Sequence, residues 1–261
     1  MSDSHTVLFS IDGGIATITL NRPERRNAIN VATDARLKEI WDEIDKNDAI
    51  RVAILTGSDC GTFCAGMDLK EAAELRKTKG IDILEMLGDP SQPRMRAIKK
   101  PMIAAINGHA PAWGTLFALN CDLRVGLAGI TMAITEVHRG RGSPWAMPAL
   151  WQMPAPMLLE LTLVGDPMPI ERFHQIGFIN YLEPTVPKVV ARARALAERI
   201  ASAAPLSVQA AKQSAMAAMD IVTGHALKEA RYIHEKAYTS EDAIEGPRAF
   251  AEKRKPVWKG R

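Results

Sequence analysis

The chain is poor in cysteine, with three thiols in 261 residues: Cys60, Cys64 and Cys121. Three cannot all pair, and Cys60 and Cys64 lack a second ligand pair at zinc-site spacing. The thiols therefore read as structural or incidental, with metal or redox work as the lesser alternative. No stretch approaches the ~18 apolar residues of a membrane span, and the opening "MSDSHTVLFS" lacks the basic region of an export signal. A cytoplasmic protein without membrane contact is expected. Charge is not segregated either: 33 basic and 30 acidic residues, net +3, are mixed along the sequence. That argues against nucleic acid as the main partner and leaves room for a local basic patch that meets a phosphorylated ligand. No segment has the composition of a disordered linker.

What is present is ordinary for a globular chain, 47% apolar and 24% charged. The length suits a main domain with a smaller appendage. "TVLFSIDGGIATITLNRP" reads as a hairpin turning at Asp12-Gly13-Gly14. "DARLKEIWDEIDKN" places Leu37, Ile40, Trp41 and Ile44 on one helical face. "VAILTG" is a short buried strand, followed by a loop and a helix from about Asp68. A second strand-loop-helix unit follows in "PMIAAINGHAPAWGTLFALNCD", and a third in "LRVGLAGITMAI" running into "TEVHRGRGSPWAMPALW". This order predicts an α/β fold of stacked units. From about residue 188 strands give way to helices. Val189, Ala193, Leu196 and Ile200 line one; Val208, Ala211, Ala215, Ala218 and Val222 line another; two further helical segments lead to the end. Such stripes must be buried, and a subunit interface is one place for them.

Two loops carry the chemistry. "TGSDCGTFCAGMDLKEAAEL" and the second unit each bring a buried strand through small residues to a helix whose first turn exposes free N–H groups. Small residues let a ligand approach the main chain, and the helix dipole favours negative charge there. Side by side, two such loops aim two donors at one oxygen and form an oxyanion hole; apart, they are ordinary strand-to-helix turns.

"NRPERRNAIN", "GTFCAGMDLKEA", "INGHAPAWGTLFALNCDLRV", "ELTLVGDPMPIERFHQIGFIN" and "SEDAIEGPRAFAEKRKPVWKGR" together resemble the enoyl-CoA hydratase/isomerase (crotonase) superfamily over nearly the whole chain. The resemblance implies a spiral of stacked ββα units forming two sheets over residues 1–187. It implies a C-terminal helical region over 188–261 that builds trimers, often paired into hexamers. It implies an acyl-CoA thioester as substrate, with CoA entering as part of that substrate and no separate cofactor or metal. The thioester oxygen would sit between the backbone N–H groups of Met67 and Trp113. Where the family usually has three glycines, this chain has Ala112-Trp113-Gly114. A bulky residue restricts positive φ, and the indole either shapes the acyl pocket toward short, branched or ring-containing groups or turns into the core.

Hydratases of the family commonly use two glutamates. The first position holds Leu116 here, and the second is Glu136. One carboxylate suffices if it deprotonates water and returns the proton to C2, or if it shuttles a proton between C2 and C4; an apolar pocket would raise its pKa above ~4.3. His138, Arg139 and Arg141 are either solvated loop charges or groups that orient Glu136 or bind a second substrate carboxylate, and His109 has no identifiable partner. For the CoA moiety the resemblance implies Arg25 and Arg26 near the phosphates and the backbone of Ala65, Gly66, Asp68 and Leu69 near adenine and pantetheine, with Asp68 equally explained as an acidic group at the start of its helix. The resemblance also puts Gly114 and Leu116 in the second loop beside the substrate, and it implies that Phe250 and Lys253 complete the CoA site of a neighbouring subunit. The expected activity is hydration of a 2-enoyl-CoA with a specialised acyl group. The alternatives are Δ3,Δ2-enoyl-CoA isomerisation, hydrolysis, and non-catalytic binding of acyl-CoA.

Overall fold

A computed structural model describes residues 5–88 and 90–261. Strands β1 (Val7–Asp12) and β2 (Ile15–Leu20) form the expected hairpin. Gly13 and Gly14 supply φ of +57° and +79°, which a two-residue turn between twisted strands requires. Helix α1 (Val31–Lys46) starts at Asn30, whose side chain accepts the Thr33 amide, and it buries Leu37, Ile40, Trp41 and Ile44 as their spacing predicts. There follow β3 (Val52–Gly57), α2 (Leu69–Lys79) and two short helices, α3 (Ile83–Met86) and α4 (Pro93–Ala97). Next come β4 (Met102–Ile106), β5 (Ala110–Pro111), α5 (Trp113–Asn120), β6 (Leu123–Leu127) and β7 (Thr131–Ala133).

The third unit differs from expectation. After β7 the chain makes 3-10 turns over Glu136–Arg139 and Pro144–Trp151, and an α-helix, α6 (Ala155–Leu163), starts only later. Pro144 and Pro148 lack the N–H groups that a continuous α-helix would use. The remaining elements are β8 (Met168–Pro169), α7 (Ile170–Gln175), β9 (Tyr181–Glu183), α8 (Val186–Ala201), α9 (Pro205–Thr239) and α10 (Asp242–Ala251).

Six strands form one sheet in the order β1-β2-β3-β4-β6-β9, antiparallel only between β1 and β2, and a second sheet has the order β5-β7-β8. The all-apolar β4 has every residue buried, as a parallel strand covered on both faces must. Every residue of α5 is buried too. Its C-terminal end is fixed by the buried Arg124, which donates to the carbonyls of Ala118 (2.6 Å) and Cys121 (2.7 Å) and lies over the Phe178 ring. A cation at this end satisfies carbonyls that the helix leaves open.

Two expectations for the helical region are corrected. The stripe of α8 is not kept for another subunit: Val189, Ala193 and Ala197 pack on the large sheet with Val52, Ile103 and Val125. The segment after Pro205 is one helix of 35 residues instead of several. Within it Ala211, Ala215 and Ala218 are exposed, whereas Lys212 is drawn inward to Asp122 at 2.8 Å; the side chain of Val222 lies outside the described residues. No helix among the described residues is long and apolar enough to cross a membrane, and no group of three or more His, Cys, Asp or Glu there could hold a metal. The three cysteines are free, and burial pushes the Cys64 and Cys121 thiols up to about 12.

Candidate active site

The loops after β3 and β4 lie side by side because their backbones are zipped together. The His109 amide donates to Gly61 O (3.0 Å) and the Phe63 amide to His109 O (2.9 Å). Glycine is needed along this seam: a Cβ on Gly108 would stand 2.5 Å from the Gly61 carbonyl carbon, and one on Gly114 would stand 2.6 Å from Cys64 O. Farther along, Gly66 adopts φ +94°, and a Cβ there would lie 3.0 Å from Ala112 Cβ and 3.8 Å from the Trp113 nitrogen. The amides of Met67 and Trp113 are therefore neighbours, and neither donates a hydrogen bond among the described residues.

The positive φ expected to trouble Trp113 falls one residue earlier. Ala112 sits at φ +50°, ψ −113°, with its amide held by Ala133 O at 2.8 Å. An L-residue there is strained by about 1–3 kcal/mol. The Thr115 hydroxyl helps to hold the bend by donating to Ala110 O at 2.7 Å. Trp113 itself is 5% exposed; its indole stands edge-on to Phe117, 6.1 Å between ring centres, and it also lines the cavity. The two readings of the indole are thus not exclusive.

Pairing of β5 with β7, Pro111 opposite Ala133, carries the chain from this loop to the turn that holds Glu136. The Glu136 Oε2 is buried without a hydrogen-bond partner. Burial raises its pKa to about 7, against the opposing pull of its own amide, the Trp145 indole and the Thr135 amide. The carboxyl is thus poised between acid and base near neutrality.

Glu136, Met67 and Trp113 border one cavity of about 820 Å³, which Arg25, Arg26, Ala65, Asp68, Leu69 and Phe250 also line. Three expected contacts do not border it: Gly66 and Gly114 shape the backbone seam, and Leu116 is in the core. Lys253, expected at the site of a neighbouring subunit, is exposed at a left-handed φ of +54°. Phe250 faces the cavity of its own chain, because α10 packs on the Glu136 turn with Gly246 directly against the Arg139 backbone. The Asp68 side chain is turned to structure: it caps α2 by accepting from the Lys70 and Glu71 amides and pairs with Arg22 at 2.8 Å. Burial pushes its carboxyl up, but Arg22 and the two amides outweigh that and hold it below the ordinary value.

His109 does have a partner: its Nδ1 accepts the Thr131 amide at 3.1 Å and meets the Thr131 hydroxyl at 2.9 Å. Arg141 pairs with Asp82, and His138 lies 3.6 Å from Asp166. Trp145, Arg231 and Tyr238 also line the cavity and have no signal in the sequence. The last two lie on α9, about 95 or more positions after Glu136, and only the docking of a helix of ~1.5 Å rise per residue brings them there. Tyr238 donates to Gly142 O at 2.8 Å, and burial, with the Glu136 charge adding, pushes its hydroxyl up to about 12.

The profile of the enoyl-CoA hydratase/isomerase family matches residues 10–261. The chain belongs to this family. It is 35% identical to (E)-benzylidenesuccinyl-CoA hydratase of Thauera aromatica, covering 97% of this chain and 99% of that one. It is 33% identical to carnitinyl-CoA dehydratase of Escherichia coli strain K12, over 99% of this chain and all of the other. A crystal structure of carnitinyl-CoA hydratase from Mycobacterium avium superposes with a TM-score of 0.83 at 34% identity, covering 98% of this chain and 99% of that chain. The fold is that of the crotonase superfamily, α/β with mixed sheets and C-terminal helices.

Proposed function

We propose that the protein adds water across the double bond of a 2-enoyl-CoA to give a 3-hydroxyacyl-CoA, with Glu136 as its acid and base. The observation that carries this reading is the buried, unpartnered Oε2 of Glu136 in the same cavity as the free amides of Met67 and Trp113. The thioester oxygen would accept both amides, which stabilise the negative charge that develops as oxygen bonds to C3. Ionised Glu136 takes one proton from the water and returns it to C2, so the elements of water are added and the carboxylate is restored. Leu116 occupies the place of a second glutamate and leaves both transfers to one group.

Arg25 and Arg26 at the cavity rim fit the CoA phosphates, and the Ala65 and Leu69 backbone fits the pantetheine arm. Trp113, Trp145 and Met67 favour a branched or ring-containing acyl group. The names of two relatives, benzylidenesuccinyl-CoA hydratase and carnitinyl-CoA dehydratase, support both the reaction class and an acyl group other than a plain straight chain. We read the working form as a cytoplasmic homotrimer or a pair of trimers, in which exposed Leu159 and Leu163 of α6 would be covered.

Isomerisation of a 3-enoyl-CoA is the second reading, favoured by the lone carboxylate. Heavy-oxygen water separates the two. Hydration incorporates one labelled oxygen into short, branched and cyclic enoyl-CoA esters, and Glu136→Gln lowers the rate by about 10²- to 10⁴-fold. A shifted double bond without label would make the enzyme an isomerase. Binding without turnover, the same in wild type and Glu136→Gln, would leave only an acyl-CoA-binding protein.

A further inference from the structure

The cavity carries more positive charge than a neutral acyl chain explains, and part of it lies beside Glu136. Arg139 ends the 3-10 turn that Glu136 begins. In such a turn residues three apart eclipse, so the two side chains leave the same side, about 6 Å apart along the axis. Both border the cavity. Arg139 makes no ion pair among the described residues, and its one hydrogen bond there runs to the neighbouring His138 O at 3.1 Å. Its guanidinium lies over the Phe250 ring at 4.2 Å, while Gly246 of α10 presses on its backbone. The group is half-buried, stacked and held in place, yet no acid among the described residues forms an ion pair with it, and Glu136 one turn away has no hydrogen bond from it. A second cation, Arg231 of α9, also lines the cavity and also lacks an ion-pair partner among the described residues. By contrast, Arg141 has Asp82 and Arg22 has Asp68.

A half-buried guanidinium without a counterion is unfavourable to the empty protein and becomes favourable when a ligand brings the anion. The CoA phosphates are a poor candidate. Glu136 has to reach C2 and C3 of the acyl group, and the whole pantetheine arm separates those carbons from the phosphates. A cation one 3-10 turn from Glu136 therefore lies at the acyl end.

We infer that the acyl group carries a second carboxylate, held by Arg139 with help from Arg231, so that the substrate is the mono-CoA thioester of an unsaturated dicarboxylic acid. This rests on the reading of the cavity as an enoyl-CoA site and adds the class of acyl group. Arg139 acts as a specificity residue: its planar fork binds a carboxylate through two parallel N–H groups, and stacking on Phe250 keeps it oriented.

The test uses two enoyl-CoA esters of the same carbon skeleton, one ending in a free carboxylate and the other in the carboxamide. Wild type is expected to prefer the acid by at least tenfold in kcat/KM. Arg139→Gln should bring that ratio close to one, Arg139→Lys should restore part of it, and Arg231→Gln should reduce it by a smaller factor. A wild-type ratio near one overturns the inference. So does an Arg139→Gln variant that loses both substrates and free CoA equally and keeps the ratio, since Arg139 would then serve the CoA phosphates. Calorimetric binding of the saturated acid and amide thioesters reads the same preference without turnover. If neither enoyl ester reacts but the acid still binds at least tenfold tighter, hydration fails while the carboxylate site stands; if binding shows no preference, the carboxylate site fails.

Discussion

Helices α2 and α5 begin in the same way, each after a parallel strand and a loop of small residues, yet their first turns are finished differently. At α2 the Asp68 carboxylate accepts the Lys70 and Glu71 amides and is itself held by Arg22. At α5 the corresponding position is Ala112, which has no side chain to offer, and the Trp113 amide stays open. One helix start is closed by a side chain, and the other is open. The open one has a partner in the Met67 amide, which belongs to the closed loop but precedes its cap. Two similar motifs thus contribute one donor each while only one is exposed as a helix end.

The comparison would be broken most severely at Gly66. Gly66→Ala puts a Cβ 3.0 Å from Ala112 and strains a φ of +94°, moving the Met67 and Trp113 amides apart. Enoyl-CoA turnover is expected to fall by about 10²- to 10³-fold, as when one oxyanion donor is lost, in steady-state kinetics on folded protein. A variant with wild-type kcat would mean that the paired amides do not bind the reacting oxygen.

The pH profile comes next in size. In the proposed hydration Glu136 acts as the ionised base, so kcat/KM should drop about tenfold per unit below its pKa of about 7 and level off above it. Stability runs the other way. The native state holds this proton more tightly than the unfolded chain, so as pH rises from about 4.5 to about 7 the Glu136 contribution falls by up to about 3 kcal/mol. Urea titrations of wild type and Glu136→Gln should diverge in that window, with the variant relatively more stable at the upper end.

Asp68→Ala removes the cap that distinguishes the closed start and leaves Arg22 without its acid. A loss of about 1–3 kcal/mol in urea unfolding is expected, with a smaller effect on kcat than Gly66→Ala. Ala112→Gly is the mildest change: it relieves the left-handed backbone but loosens the unfolded chain, so stability should rise by no more than about 1 kcal/mol. A clear loss would show that the Ala112 methyl contributes more by packing on Gly66 than its backbone strain costs.

The chain's local rules were legible where neighbours in sequence are neighbours in space. The Leu37, Ile40, Trp41, Ile44 stripe and the Gly13-Gly14 turn follow from periodicity and from the conformational freedom of glycine. The third unit was misread because apolar composition cannot show that Pro144 and Pro148 favour 3-10 turns over an α-helix. The Ala211, Ala215, Ala218 stripe lies exposed on the single chain, and only the tertiary structure shows that α9 docks on its own chain through another face, where Asp122 draws Lys212 inward.

By itself the sequence determined the strand-loop-helix order, the family resemblance, and the motif positions of Glu136, Met67 and Trp113, because spacing and residue type act over a few positions. Only the tertiary structure decided that the two loops touch, that Glu136 is enclosed with one oxygen unpartnered, and that Tyr238, Arg231 and Phe250 border the same cavity. The physical reason is that desolvation and the meeting of distant backbones depend on how β5 pairs with β7 and how α9 and α10 fold back, and those contacts join residues about 20 to more than 110 positions apart.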